Sequence, residues 1–191
     1  MKITVGVSLR HIHVTKEDYE LLFDEKMEVK APINQPGQFS TIQTVTLKNG
    51  ERKIENVRII GPERSYTQVE LSRTDAYFLK LNPPVRASGD LVDAEKITII
   101  GPKGEITRNA CIIAERHIHV TPEKRKELNL TKDYYDVKVT GKKGGIFNNV
   151  RVSEKPNSAY EMHIDSDEAN AFDIKQNNEV EILCWFLLFL C

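Results

Sequence analysis

Cysteine is scarce in this chain, with three residues among 191. The number is odd and no pair is spaced C-x-x-C, which argues against a disulfide framework and against a thiolate zinc site. No sign of charge dominates: 27 basic residues stand against 28 acidic ones, a net charge of −1. A nucleic-acid binder acting by bulk electrostatics would carry a clear basic excess. The only long apolar run is ILCWFLLFLC from Ile182 to Cys191, ten residues, where a membrane-spanning helix needs about 20. The first residues lack a signal-type apolar core and a small-residue cleavage site. Also absent are a G-x-S-x-G elbow, a Walker loop and a G-x-G-x-x-G turn. These absences point to a cytoplasmic chain without nucleic-acid or membrane partners. From Trp185 onward the tail reads as non-native, since such a patch on a surface invites aggregation; residues 184–191 are set apart from the fold.

Histidine is nearly as scarce, and its placement is not random. The five residues are His11, His13, His117, His119 and His163. The hexapeptide Arg-His-Ile-His-Val-Thr stands at 10–15 and again at 116–121, an offset of 106. Five histidines scattered by chance give about 0.13 His-x-His pairs in a chain of this length, so two pairs in identical settings mean duplication. A fainter match runs at an offset of 93, aligning Val57-Arg58-Ile59 with Val150-Arg151-Val152 and Thr74-Asp75-Ala76 with Asp167-Glu168-Ala169. In that alignment Glu70 falls on His163. The difference between offsets implies extra chain in the first half, near Ala31 to Phe39 and within about 24–42.

The remaining texture is β. Short β-branched runs such as Thr44–Leu47, Lys53–Ile60, Lys96–Ile100, Tyr135–Val139 and Val150–Val152 are separated by Asn-Gly, Gly-Pro and Gly-Gly turns. The spacing, met twice, predicts a mainly β fold with short helices, built as two tandem-duplicated small barrels. Helices are expected at Lys16–Phe23, Thr74–Leu79, Pro122–Leu128 and Asp167–Phe172. Thr15 and Thr121 serve as N-caps of the first and third, and Pro122 opens the third.

On a strand, residues i and i+2 share a face, so each His-x-His can converge on one ion. His11, His13 and Glu70 would make a His₂Glu site, and His117, His119 and His163 a His₃ site. Three protein ligands with one position open is the pattern of catalytic zinc; iron, cobalt or manganese would also accept these donors. Between Lys48 and Arg86 eight basic residues stand against five acidic ones, and Arg58 and Arg64 offer guanidinium groups for a phosphate. The loop Pro83–Asp90 either adds anion donors or simply joins the halves. Cys111, in an apolar run, reads as a buried small hydrophobe.

The motifs VSLRHIHVT, NQPGQF, VRIIGPERSYTQVELSRTDA, PPVRASGD, AERHIHVTPE and EMHIDSDEANA resemble those of phosphate propanoyltransferases, the phosphotransacylases of propanediol-utilization type, from Val5 to about Ile182. The resemblance implies paired β-barrels capped by helices, with two zinc ions between them and an acyl group exchanged between coenzyme A and inorganic phosphate. It implies that the first strand crosses to the other barrel, giving domains of 10–116 and of 1–9 plus 117–183. By the same resemblance Arg64 binds the phosphate, and Ser8, Arg58 and Asn170 lie around coenzyme or phosphate. Tyr77 replaces an aromatic that packs on the adenine. A homodimer is implied. No targeting extension precedes the first strand, which favours the cytoplasm over a microcompartment. Direct transfer in a ternary complex is the expected mechanism. The alternatives are a zinc hydrolase of an ester or amide and a metal-stabilised binding module without activity.

Overall fold

The structure is a computed structural model, and it describes residues 1–184. The tail from Trp185, expected to be non-native, lies outside the described residues. The strands are β1 (Lys2–Ser8), β2 (His11–His13), β3 (Val29–Pro32), β4 (Phe39–Asn49), β5 (Arg52–Gly61), β6 (Gln68–Glu70), β7 (Val85–Arg86), β8 (Glu95–Ile100), β9 (Glu105–Ala114), β10 (His117–Val120), β11 (Tyr134–Val139), β12 (Gly145–Glu154), β13 (Glu161–Asp165) and β14 (Glu179–Leu183). Four short helices intervene: α1 (Lys16–Leu22), α2 (Arg73–Phe78), α3 (Pro122–Glu127) and α4 (Ser166–Phe172).

The chain divides into two units, Leu9–Glu115 and Met1–Ser8 with the chain from Arg116 onward. In the second of these, six strands close a barrel in the order β1-β13-β10-β12-β11-β14, completed by antiparallel pairing of β14 with β1. In the Leu9–Glu115 unit the ring runs β4-β5-β2-β6-β9-β8, closed by β8 against β4. Here β3 and β7 are additions, β3 alongside β4 and β7 alongside β9. β3 falls where the offsets imply extra chain.

The two rings match strand for strand once β1 is set beside β9. Each lies parallel to the strand that carries the third metal-capable residue, β1 to β13 and β9 to β6. Each also immediately precedes a His-x-His strand that belongs to the other unit. The duplication is therefore exchanged across its first strand.

Period-2 alternation fills each barrel. Ile12, Leu47, Ile59, Val69, Ile97 and Cys111 point into one core, and Val5, Ile118, Val137, Phe147, Val150 and Met162 into the other. Because Ile12 and Ile118 are fully buried in these cores, the flanking histidines must project from the opposite face of the wall. Helices of six or seven residues have little intrinsic stability and are fixed at their starts. Thr15, Ser72, Thr121 and Asp165 each accept the backbone N–H three residues on. The second and fourth helices begin one residue earlier than the sequence suggests, because Ser72 and Asp165 are the caps. Asp165 forms a full capping box with Glu168.

Candidate functional site

Strand register assembles two donor sets, each within one unit. Across antiparallel β2 and β6, His11 lies opposite Glu70 and His13 opposite Gln68. Across β10 and β13, His117 lies opposite His163 and His119 opposite Glu161. In each triad, His11–His13–Glu70 and His117–His119–His163, the candidate ligand atoms fall within 4.8 Å of one another.

In the first triad the ring orientations are fixed by the backbone. His11 Nδ1 stands 2.8 Å from the Leu9 carbonyl and His13 Nδ1 3.0 Å from that of Ile60. A carbonyl only accepts, so both Nδ1 atoms carry protons and Nε2 is the atom each ring has available for a metal. Those two nitrogens are 3.2 Å apart, and Glu70 Oε2 is 3.6 Å from His11 Nε2. A tetrahedral ion with bonds of about 2.0–2.1 Å to nitrogen has ligand–ligand edges of about 3.3–3.4 Å. Lone pairs at this separation repel unless a cation or a proton lies between them. Burial, followed by the charges of His11 and Arg64, holds His13 well below the usual histidine range. The donor chemistry therefore fits a divalent metal.

The second triad fits one as well. His117 and His119 bring their Nε2 atoms within 3.0 Å, with the His163 ring 4.6 Å from that of His119. His119 is pushed down to about 2, first by burial and then by His117 and His163. Its Nδ1 is buried without a hydrogen-bond partner among the described residues.

An arginine is wired to the first triad. The backbone N–H of Arg64 donates to Val14 O at 2.8 Å, which lays the 62–67 segment beside the histidine strand. Its guanidinium donates to Tyr66 Oη at 3.0 Å, Gln38 Oε1 at 3.2 Å and Ser88 Oγ at 3.4 Å. Ser88 Oγ in turn donates to Glu70 Oε1 at 3.2 Å. Gln68, fully buried, donates from Nε2 to Glu70 Oε1 at 2.6 Å and to Ser88 Oγ at 2.9 Å. Its Oε1 accepts the N–H of Gly89 at 2.7 Å, where a φ of +98° favours glycine. The Pro83–Asp90 loop thus reaches the site and lies inside the Leu9–Glu115 unit rather than joining the halves.

The other residues singled out from sequence divide between the units. Arg58 lies opposite His11 on β5, with one guanidinium nitrogen donating to the carbonyls of Thr41 and Ile42 at 2.9 Å each. Tyr77, 83% exposed, stands on α2. Ser8 ends β1 opposite Asp165, and Asn170 on α4 takes a 2.8 Å hydrogen bond from Lys143 Nζ at its carbonyl. The sequence reading missed Gln68, Ser88 and Glu161. For Gln68 and Glu161 the signal was present, since each stands two residues before a predicted ligand and so shares its face.

The sequence model of the family described as phosphate propanoyltransferase matches residues 4–175. The phosphate propanoyltransferase of Rhodopseudomonas palustris is 43% identical over 185 residues, covering 95% of this chain and 82% of that protein. That of Thermotoga maritima is 45% identical over 187 residues, covering 95% and 89%. That of Salmonella typhimurium is 43% identical over 173 residues, covering 88% and 82%. On this evidence the chain belongs to the phosphate propanoyltransferase family of acyltransferase enzymes.

Proposed function

We propose that this chain exchanges a short acyl group, acetyl or propanoyl, between coenzyme A and inorganic phosphate, using two zinc ions and direct transfer in a ternary complex. The observation that carries the reading is the Arg64–Ser88–Glu70 linkage. It sets an anion-binding guanidinium beside a three-donor metal set, and a plain hydrolase has no need of it. Bound at the two triads, zinc would supply Lewis acidity to an acyl oxygen and a lowered pKa to a thiol.

The residues do the rest. Arg64 binds phosphate through a guanidinium held by Tyr66, Gln38 and Ser88, so little ordering is left for the substrate to impose. A phosphate oxygen attacks the thioester carbonyl, the C–O bond forms, and the C–S bond breaks with its electron pair going to the coenzyme sulfur. Arg64 offsets the phosphate charge during that step. Ser8, Arg58 and Asn170 line the coenzyme or phosphate, and Tyr77 stacks on the adenine. A covalent route through Cys111 is disfavoured, since it is fully buried and its thiol is pushed up to about 12. The cysteine usage agrees with a cytoplasmic enzyme. Isotope exchange between acyl phosphate and free phosphate tests the ternary route: none is expected without coenzyme A, and exchange in its absence would mean a covalent acyl-enzyme.

A further inference from the structure

Gln68 has no titrating group and is wholly buried, yet its side chain reaches three parts of the first site. It stands on β6 opposite His13, two residues before Glu70, and so shares that residue's face. The orientation of its amide is fixed by a group that can only donate. The backbone N–H of Gly89 meets one end at 2.7 Å, so that end is the carbonyl oxygen and the other is Nε2. Both hydrogens of Nε2 are then placed, one on Glu70 Oε1 at 2.6 Å and one on Ser88 Oγ at 2.9 Å.

Ser88 is determined in turn. Its oxygen accepts from Gln68 Nε2 and Arg64 Nη1, two groups that only donate, which sends its own hydrogen to Glu70 Oε1. Glu70 Oε1 therefore receives two hydrogen bonds, and Oε2 is the oxygen turned to His11 Nε2, at 3.6 Å. These directions follow from an amide, a hydroxyl and a guanidinium, not from the charge of Glu70.

The matching place in the other unit, opposite His119, holds Glu161. At position 68 the surroundings pair a backbone donor, Gly89, with an acceptor, Glu70. An ionised carboxylate there could serve the first and not the second, whereas an amide serves both. We propose that Gln68 is a positioning residue of the first metal centre. It holds Oε1 of Glu70 so that Oε2 faces the histidines, and it ties the Pro83–Asp90 loop to the same carboxylate. Because Ser88 also meets Arg64, one buried amide orders the metal-facing carboxylate and the guanidinium proposed to bind phosphate together. This inference rests on the two-metal reading above.

The test uses the full chain with cadmium as the probe. Gln68→Met keeps the length of the side chain and removes both ends of the amide. In chelator competition it is expected to weaken one of two cadmium sites, the one that His13→Ala removes, by about 10- to 100-fold. The other site should be unchanged. Ser88→Ala, at a half-buried loop position, takes away the second donor to Oε1 and should weaken the same site about 5-fold. Amide hydrogen exchange at Gly89 gives a readout that needs no metal. Gly89 is exposed, yet its N–H is expected to exchange slowly in the wild-type chain and to lose that protection in Gln68→Met. A merely structural glutamine would lower stability without singling out one site. Unprotected exchange at Gly89 in the wild type, or full affinity at both sites in Gln68→Met, overturns the proposal and leaves the two-metal reading standing. If Gln68→Met does not fold, unchanged affinity in Ser88→Ala overturns it. A wild-type chain that binds no cadmium at the His11–His13–Glu70 set overturns both.

Discussion

The hydroxyl of Ser88 stands 3.2 Å from Oε1 of Glu70 and accepts from Arg64 at 3.4 Å. One small side chain thereby joins a metal-capable carboxylate to the guanidinium proposed to bind phosphate. Arg64→Ala is expected to lower kcat/KM for phosphate by about 10²- to 10³-fold with metal content unchanged. Arg64→Lys should recover little, because an ammonium cannot hold the same three acceptors in a fixed fork. Steady-state kinetics with varied phosphate, beside metal analysis, checks both variants.

Since each donor set lies within one unit, the two are expected to lose metal separately. His13→Ala should reduce bound zinc from two ions per chain to one, and His119→Ala should do the same at the other triad. The double variant should bind none. Elemental analysis of the purified chains checks this; a single substitution that empties both sites would mean that they are coupled.

Burial disfavours the charged form of one histidine in each triad, holding His13 well below 6.5 and His119 down to about 2. In the unfolded chain both return to about 6.5. Below that pH the unfolded state binds more protons than the folded one, so stability is full above 6.5 and falls as pH drops toward the folded values. The slope is about 1.4 kcal/mol per pH unit for each histidine. Urea unfolding of the metal-free chain at pH 7 and pH 5 should show the lower midpoint at pH 5. His13→Asn should reduce the difference.

Asp18 on α1 accepts from Arg108 at 2.6 and 3.2 Å and from Thr67 Oγ1 at 2.6 Å. Its side chain is 8% exposed while that of Arg108 is 42% exposed, so solvent screens one side of the pair. Asp18→Ala leaves Thr67 without its acceptor and should cost about 2–3 kcal/mol. Thr67 precedes Gln68, so kcat should also fall. Denaturant melts and kinetics on the same preparation check the two effects.

Much of this arrangement can be read from residues alone, for identifiable reasons. The identical RHIHVT copies keep each histidine pair at a two-residue spacing, and a strand turns that spacing into shared direction. The 93-residue offset brings Glu70 and His163 to matching places before any coordinate is known. Ser88 is different: its partners Glu70, Gln68 and Arg64 lie 18 to 24 residues away, and only the path of the Pro83–Asp90 loop joins them. The exchange of β1 and β9 also escapes local pattern, because parallel pairing of Gly6 with His163 spans most of the chain and leaves no periodic trace. Family resemblance supplies that crossing where hydrophobic alternation does not. The start of α4 at Ser166 is set by Asp165 acting as its cap, a choice the sequence leaves open between neighbouring polar residues.

The most direct measurement of the central claim is release of coenzyme A thiol from propanoyl-CoA, with and without phosphate, before and after chelation. The account predicts release that requires phosphate, yields propanoyl phosphate in equal amount, stops on chelation and returns with zinc. Release at the same rate without phosphate, or undiminished by a chelator that has removed both ions, would contradict it.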